Sequence, residues 1–376
     1  MITARPSYSR IKSVLSAIKD HPDLQLQLVI TGSALLDKYG SVVDVIKADG
    51  FDITSRVHIL VEGESLLTSA KSTGLAIMEL ATTFDLLKPD AVLSIADRYE
   101  TIATAIAGSY QNIPVVHIQG GEVTGSIDEK VRHAVTKLAD LHLVANEQAA
   151  RRVISMGEVT ESVHVTGCPS IDLAAEILNN SNRPLFTGNI GGVGADVDVS
   201  SPFLVVMQHP VTYEWEHAKF QMTSTLEAIS DIGLPTLWFW PNVDAGSDAA
   251  SRAIRTYREK KQNSRMRFVK NLPPEDFLRL LMGARCLVGN SSVGIRECGY
   301  LGVPVVNIGS RQQGRDRAKN VIDVDFDREA IRQAVSRQIQ HGSYNSSDLY
   351  GDGNAGKRIA RILATSPLSF EKRITY

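Results

Sequence analysis

The residues able to do acid–base or anion-binding chemistry stand in short clusters, each directly after a β-rich run. Ala96-Asp97-Arg98-Tyr99-Glu100 follows the apolar run 91–95. Charged groups at a strand's carboxyl end either pair on the surface or project into a ligand cleft, and this cluster alone fits both. His117-Ile-Gln119-Gly-Gly-Glu122-Val-Thr-Gly125-Ser126-Ile-Asp128-Glu129 follows the run 115–118. Its glycines allow a backbone to approach a ligand closely, and its polar groups fall within a dozen residues of one loop. Ser126-x-x-Glu129 ahead of a helical pattern reads as a capping box, which makes Glu129 structural. Asp128 then falls in the first helical turn, facing the loop as an acid–base candidate, with Arg132 four residues on to orient it.

The second half of the chain carries four more clusters. Gln208-His209-Pro210-Val-Thr212 and Pro241-Asn242-Val-Asp244-Ala-Gly246-Ser247 again follow strands. Gly289-Asn-Ser291-Ser292-Val-Gly294-Ile-Arg296-Glu297 offers hydroxyls and backbone N–H groups at a helix start, suited to phosphate or to an ordinary serine cap. Glu297, one turn further, can accept two hydrogen bonds from a ribose diol. Gly309-Ser-Arg311-Gln-Gln-Gly-Arg315-Asp-Arg317 places three arginines in nine residues. In a near-neutral chain such a cluster facing a helix start reads as the counter-charge of a diphosphate. Together the last two clusters favour a nucleoside-diphosphate site, and the carboxylates and amide of the first half then face the rest of the ligand.

The elements that must position these clusters alternate between short β-rich runs and helical patterns, which predicts parallel sheets covered by helices. The runs are 26–30, 91–95, 115–118, 141–144 and 163–165, then 203–206, 236–239, 267–269, 286–288 and 303–307, with helices such as Leu66–Leu87 and Lys130–Leu138 between them. Asn179–Ser200, rich in Asn, Ser and Gly, reads as a linker or exposed loop. The expected fold is α/β: two Rossmann-like, doubly wound domains over 1–180 and 181–355, with ligands in the cleft at the carboxyl ends of their strands. Residues 356–376 are expected to pack back on the first domain.

With 376 residues, 43% hydrophobic and 22% charged, the chain is neither one small module nor disordered. A net charge of −2 leaves no overall basic field for nucleic acid or an anionic membrane. No apolar run is long enough for a membrane span and the start lacks a signal-peptide pattern, so a cytoplasmic location is expected. The three cysteines, 168, 286 and 298, are too few and too scattered for a disulfide framework or a zinc site.

These segments resemble the hydrolysing UDP-N-acetylglucosamine 2-epimerases of sialic acid and related nonulosonate pathways. The resemblance runs from Arg5-Pro-Ser-Tyr-Ser9 through Asp97-Arg98, Gly120-Gly-Glu122-Val-Thr-Gly125, Gly167-Cys-Pro-Ser170, Gln208-His209-Pro-Val-Thr212, Pro241-Asn242, Gly289-Asn-Ser-Ser292 and Gly309-Ser-Arg311 to Tyr350-Gly-Asp-Gly353. It implies the two-domain architecture of B-type glycosyltransferases with an interdomain active site. By the same resemblance Arg5, Ser9, Arg98, His209, Asn242, the backbone near Leu272, Ser291, Ser292, Glu297 and Arg311 contact UDP. Asp97, Gln119, Asp128 and His209 serve the sugar, with Glu122 beside them. The implied reaction needs neither metal nor cofactor: UDP is eliminated to leave a 2-acetamidoglucal, and water adds to give N-acetylmannosamine. A homodimer or homotetramer is the implied assembly.

Three departures bear on this picture. Gln119 replaces the glutamate usual in His-Ile-Glu-Gly-Gly-Glu, so proton transfer falls to Asp97, Asp128 or Glu122, with Gln119 orienting the sugar. Ahead of Arg5 the chain has only Met1-Ile-Thr-Ala, so the first sheet is expected to lack its opening strand and the chain to melt below a version extended upstream. Asp248 stands where regulated relatives carry a basic residue, so their feedback control is not expected. Non-hydrolysing epimerases resemble His-x-Glu-Ala-Gly-Leu-Arg at this loop, which favours hydrolysis here. A 2,4-diacetamido-trideoxyhexose substrate and a weakly active nucleotide-sugar-binding role are the alternatives.

Overall fold

A computed structural model describes residues 1–36, 42–63, 65–96, 98–180, 186, 188, 190–241, 246–261 and 265–375. The chain divides into two compact units. The first comprises Met1–Glu122, Ile127–Leu173 and Tyr350–Tyr376; the second comprises Val123–Ser126 and Ala174–Leu349.

In the first unit, β1 (Ile2–Thr3), β2 (Val29–Thr31) and β3 (Ser55–Val57) form one parallel sheet. A second contains β4 (Val92–Ile95), β5 (Val115–Ile118), β6 (Leu141–Val144) and β7 (Val163–Val165), also parallel. β1 packs beside β4, so the spatial order runs β3-β2-β1-β4-β5-β6-β7. That is a doubly wound order whose direction reverses between β1 and β4, the position at which such sheets bind ligands. β4, β5 and β6 are buried at every position, which is why they read as nearly continuous apolar runs rather than alternating ones.

The helix Leu66–Leu87 buries Ser72, Ala76, Leu80 and Phe84, one face at a four-residue spacing. Ser65 caps its start by accepting the Thr68 N–H, and Lys88 ends it in the left-handed conformation (φ 43°). The helix Ala355–Thr365 returns to pack on Arg5–Lys19. Asp172 anchors it by accepting the Ala355 and Gly356 N–H groups at 2.8 and 2.7 Å.

The second unit holds one seven-stranded sheet: β8 (Val193–Gly194), β9 (Leu204–Met207), β10 (Thr236–Phe239), β11 (Met266–Val269), β12 (Cys286–Gly289), β13 (Val305–Ile308) and β14 (Val321–Val324). Its order is β14-β13-β12-β9-β10-β11-β8, parallel except for β8, which runs antiparallel to β11 at the edge. The order reverses between β9 and β12. Leu204, Val206, Trp238, Phe268 and Val288 form the centre of its core.

The structure corrects two expectations. Ile2 and Thr3 are buried and pair with Val29 and Ile30, so the first sheet does have an opening strand, short because only two of its residues enter the ladder. Part of the expected loop 179–200 is β8, and Arg267 ties this stretch to the edge by donating to the Ile190 carbonyl at 2.8 Å and pairing with Asp196 at 2.7 Å. Residues 181–185, 187 and 189 of that stretch lie outside the described residues. All three cysteines are free and buried, and no helix among the described residues is long and apolar enough to cross a membrane.

Candidate functional site

Each expected cluster issues from the carboxyl end of a strand at or beside a point where the strand order reverses. In the first unit β1 leads through Ala4, the helix cap, to Arg5 and Ser9 in the first turns of Arg5–Lys19, both half-buried. β4 leads to Ala96, whose φ of 67° is left-handed. Asp97 lies outside the described residues; Arg98, half-buried, caps the helix Tyr99–Ser109, and its Nε lies 3.3 Å from Glu100 Oε2. The other Glu100 oxygen is buried with no hydrogen-bond partner.

β5 leads to a second left-handed non-glycine residue, Gln119 (φ 65°). Such conformations cost on the order of 1–3 kcal/mol and persist where the surroundings hold them. Gln119 donates its N–H to the Leu143 carbonyl at 2.9 Å, and its buried amide donates to Cys168 Sγ at 2.6 Å. Glu122 is buried, and its carbonyl accepts from Arg132 Nη1 at 2.9 Å. A side chain on Gly121 (φ 73°) would start 2.3 Å from the Ala149 carbonyl oxygen, so glycine is required there.

His117, which sequence reasoning placed in the motif without a role, is fully buried on β5. Its Nε2 lies 2.9 Å from the Ala96 carbonyl and its Nδ1 3.3 Å from Thr136 Oγ1. Burial keeps the ring neutral, with its pKa lowered to about 3.

The helix carrying Asp128 starts at that residue, and Ile127 before it already has helical dihedrals (φ −54°, ψ −26°), with Ser126 just ahead. Glu129 pairs with His133 Nε2 at 2.8 Å and lies 3.5 Å from Arg132. Arg132, expected to orient Asp128, is a buried brace that also holds the Glu122 carbonyl. Asp128 itself is half-buried in the first turn.

In the second unit β9 leads to Gln208 and His209, both buried. Asn290, after β12, accepts the His209 N–H at 2.7 Å and donates to the His209 carbonyl at 2.8 Å. Gly289 (φ 133°) permits this turn; a Cβ there would lie 2.1 Å from the Met207 carbonyl oxygen. Ser291 caps the four-residue helix Ser292–Ile295, accepting the Val293 N–H at 3.4 Å, and Ser292 Oγ receives Arg296 Nη2 at 2.8 Å. Glu297 opens a second short helix, buried, with Oε2 lacking a hydrogen-bond partner. Leu272 is half-buried between β11 and the helix Pro274–Gly283. Asn242, with 243–245, lies outside the described residues.

The three arginines of the sixth cluster each also brace the fold. Arg317 pairs with Asp323 Oδ1 at 3.0 Å and donates to the Gln312 and Arg315 carbonyls. Arg315, buried, holds the Val123 carbonyl at 2.9 Å. Arg311 donates to the Asn290 carbonyl at 3.1 Å, which sets it beside Ser291. The segment Val123–Ser126 is seated on this loop: Gly125 donates its N–H to the Arg311 carbonyl at 3.1 Å, and a Cβ on Gly125 would fall 1.9 Å from the Ser310 carbonyl oxygen.

The second unit thus gathers serine hydroxyls, an arginine and an unsatisfied carboxylate oxygen at one reversal point, a set suited to a phosphorylated ribose. The first unit carries Gln119, Glu122 and Asp128 within ten residues after β5. Among the described residues no group of His, Cys, Asp and Glu is arranged to hold a metal ion.

Residues 16–364 match the model of the UDP-N-acetylglucosamine 2-epimerase family. The hydrolysing UDP-N,N'-diacetylbacillosamine 2-epimerase of Legionella pneumophila is 34% identical over 97% of this chain and 94% of its own length. The UDP-N-acetylglucosamine 2-epimerase of Neisseria meningitidis serogroup B is 30% identical over 96% of this chain and 92% of its own. Among solved structures, the Methanocaldococcus jannaschii UDP-GlcNAc 2-epimerase in complex with UDP-GlcNAc and UDP superposes with a TM-score of 0.76 at 17% identity, covering 96% of this chain and 98% of that one. A UDP-GlcNAc 2-epimerase from Neisseria meningitidis, bound to UDP-GlcNAc, gives 0.77 at 19% identity with the same coverage. The fold is therefore that of these enzymes, two Rossmann-like units of the B-type glycosyltransferase kind, and the chain belongs to the UDP-N-acetylglucosamine 2-epimerase family.

Proposed function

We propose that this chain is a hydrolysing 2-epimerase that converts UDP-N-acetylglucosamine and water to UDP and N-acetylmannosamine. The observation carrying the hydrolysing reading is the loop Gly120-Gly-Glu122-Val-Thr-Gly125, in which sterics require glycine at 121 and 125. The non-hydrolysing pattern His-x-Glu-Ala-Gly-Leu-Arg shares the glycine at 121 but carries Ala, Leu and Arg where this chain has Gly120, Glu122 and Val123, and a Cβ at Gly120 would start 2.9 Å from His117 Nδ1.

In the first step a base takes the C2 proton, the C2–H electron pair forms the C1=C2 bond, and the C1–O bond breaks with its pair leaving on UDP. Water then adds across the glucal: a proton reaches C2 from the opposite face and hydroxide bonds to C1. Arg311, Ser291 and Ser292 take the charge of the departing diphosphate, and Glu297 accepts from the ribose. Arg5, Ser9, Arg98, Asn242 and the backbone at Leu272 complete the UDP contacts. Gln119 cannot take up a proton at neutral pH, so proton transfer falls to Asp97, Glu122 or Asp128, with His209 alongside. Gln119 orients the sugar.

A second substrate, UDP-N,N'-diacetylbacillosamine, is favoured by the 34% identical Legionella relative that carries that name. The chemistry at C1 and C2 is the same. Proton NMR of the protein with each UDP-sugar in D2O tests both. Release of UDP with N-acetylmannosamine deuterated at C2 supports the first reading, and turnover of the diacetamido sugar alone supports the second. Accumulation of UDP-N-acetylmannosamine overturns hydrolysis; UDP binding without turnover of either sugar overturns the enzyme reading.

A further inference from the structure

We infer that His117 is a positioning residue for this reaction: its ring fixes the backbone of Ala96 at the end of β4, and the loop after Gln119 is folded around the same ring. The inference rests on the function proposed above for its consequence in catalysis, and on geometry for the rest.

A carbonyl oxygen only accepts, so the 2.9 Å contact to Ala96 puts the ring hydrogen on Nε2 and leaves a lone pair on Nδ1. Ala96 is left-handed and its own N–H is donated to the Ile118 carbonyl at 2.9 Å, so both polar groups of this strained residue are held by β5. On the other edge of the ring, a Cβ on Gly120 would sit 2.9 Å from Nδ1 and 3.2 Å from Thr136 Oγ1. Glycine at 120 is what lets the loop close over the imidazole. Val115, Val116 and Ile118 show that the sheet itself asks only for apolar side chains here. The polar ring serves the end of β4 at Ala96 and the loop that carries Gln119 and Glu122.

The test compares His117→Phe, which keeps a ring without a donor, with His117→Gln, whose amide reaches the Ala96 carbonyl. His117→Phe is expected to lower kcat by about 100-fold with KM nearly unchanged, because misplacement by an ångström acts on the chemical step. It is also expected to speed amide hydrogen exchange in the peptide containing Ala96–Arg98. His117→Gln is expected to restore most of both. Unchanged kcat in His117→Phe, or a glutamine variant as impaired as phenylalanine, overturns the inference. If wild-type protein turns over neither sugar, the proposed function fails, and the exchange comparison still decides the positioning: equal protection of Ala96–Arg98 in wild type and His117→Phe overturns it. Should His117→Phe not fold, His117→Asn replaces it, since its shorter amide cannot reach Ala96; exchange equal to that of His117→Gln then overturns the inference.

Discussion

Asn290 bonds both backbone polar groups of His209, a residue 81 positions earlier, with its side-chain oxygen on the N–H at 2.7 Å and its nitrogen on the carbonyl at 2.8 Å. The pair bridges β9 and β12, the neighbours between which the second sheet reverses direction. A single amide thereby fixes the first residues beyond the two strands at the reversal point. Its own carbonyl receives Arg311 at 3.1 Å and Gln312 at 2.9 Å, so three of the four clusters of this unit share one buried node.

Asn290→Ala leaves two buried backbone groups without partners, at about 1–3 kcal/mol each. The expected outcome is destabilisation of that order in denaturant unfolding, with weaker UDP binding by calorimetry. Asn290→Asp keeps the acceptor, loses the donor and sets a carboxylate beside the His209 carbonyl, so it is expected to weaken UDP binding as well. Wild-type affinity in both variants would show that the node does not shape the nucleotide site.

Glycine substitutions separate steric need from composition. Gly125→Ala drives a methyl group into the Ser310 carbonyl and Gly289→Ala into the Met207 carbonyl, both backbone atoms that cannot yield. Each is expected to abolish turnover and lower the melting temperature. Gly74, inside the helix Leu66–Leu87, has nothing within 4 Å of the added carbon. Gly74→Ala is expected to be neutral or stabilising by up to about 1 kcal/mol from helix propensity. A destabilised Gly74→Ala would mean that this exposed position is occupied in solution.

The central strands were legible because burial on both faces leaves a nearly unbroken apolar run, as in Val92–Ile95 and Cys286–Gly289. The edge strands β3, β8 and β14 were not, since their partly exposed residues carry no such run. The clusters of the site were legible because polar residues placed straight after a strand stand out from it. What each polar residue bonds to was not. Arg315 and Arg317 look the same in sequence as Arg311, and only the fold assigns them to the Val123 carbonyl and to Asp323.

Acid sensitivity should come from buried groups with overlapping windows, the Glu158 carboxylate and the neutral rings of His117 and His142. Glu158 accepts from Lys137 at 2.6 Å, from Lys372 at 2.5 Å and from His142 at 3.0 Å, and these partners hold its pKa near 2 against an ordinary 4.5 despite burial. Its folded pKa is depressed, so its contribution is present above pH 4.5 and is lost as pH falls through about 2. His117 also has a depressed pKa, but as a base that must stay neutral. The unfolded ring takes up a proton below about 6.5, so stability falls as pH drops from there to about 3. Glu158→Gln should flatten the stability profile below pH 4.5, and His117→Gln the profile between 6.5 and 4.5. Unaltered slopes in both variants would mean that other groups govern acid unfolding.

The proposed proton transfer is tested most directly at the three polar positions of the first unit's loop. Glu122→Gln and Asp128→Asn keep shape and hydrogen bonding while removing the ability to exchange a proton. Each is expected to cut turnover by about 10²- to 10⁴-fold while UDP affinity stays near wild type. Gln119→Glu restores the carboxylate usual at this position, and it exchanges a donated hydrogen bond to Cys168 Sγ for one accepted from the thiol. Turnover is expected to hold or rise. Measuring deuterium uptake at C2 separately from UDP release distinguishes the two halves of the reaction. A variant that exchanges the C2 proton without releasing UDP has lost the group that assists departure, and one that does neither has lost the base. Full activity in both Glu122→Gln and Asp128→Asn would remove them as the acid–base pair and leave Asp97 to carry it.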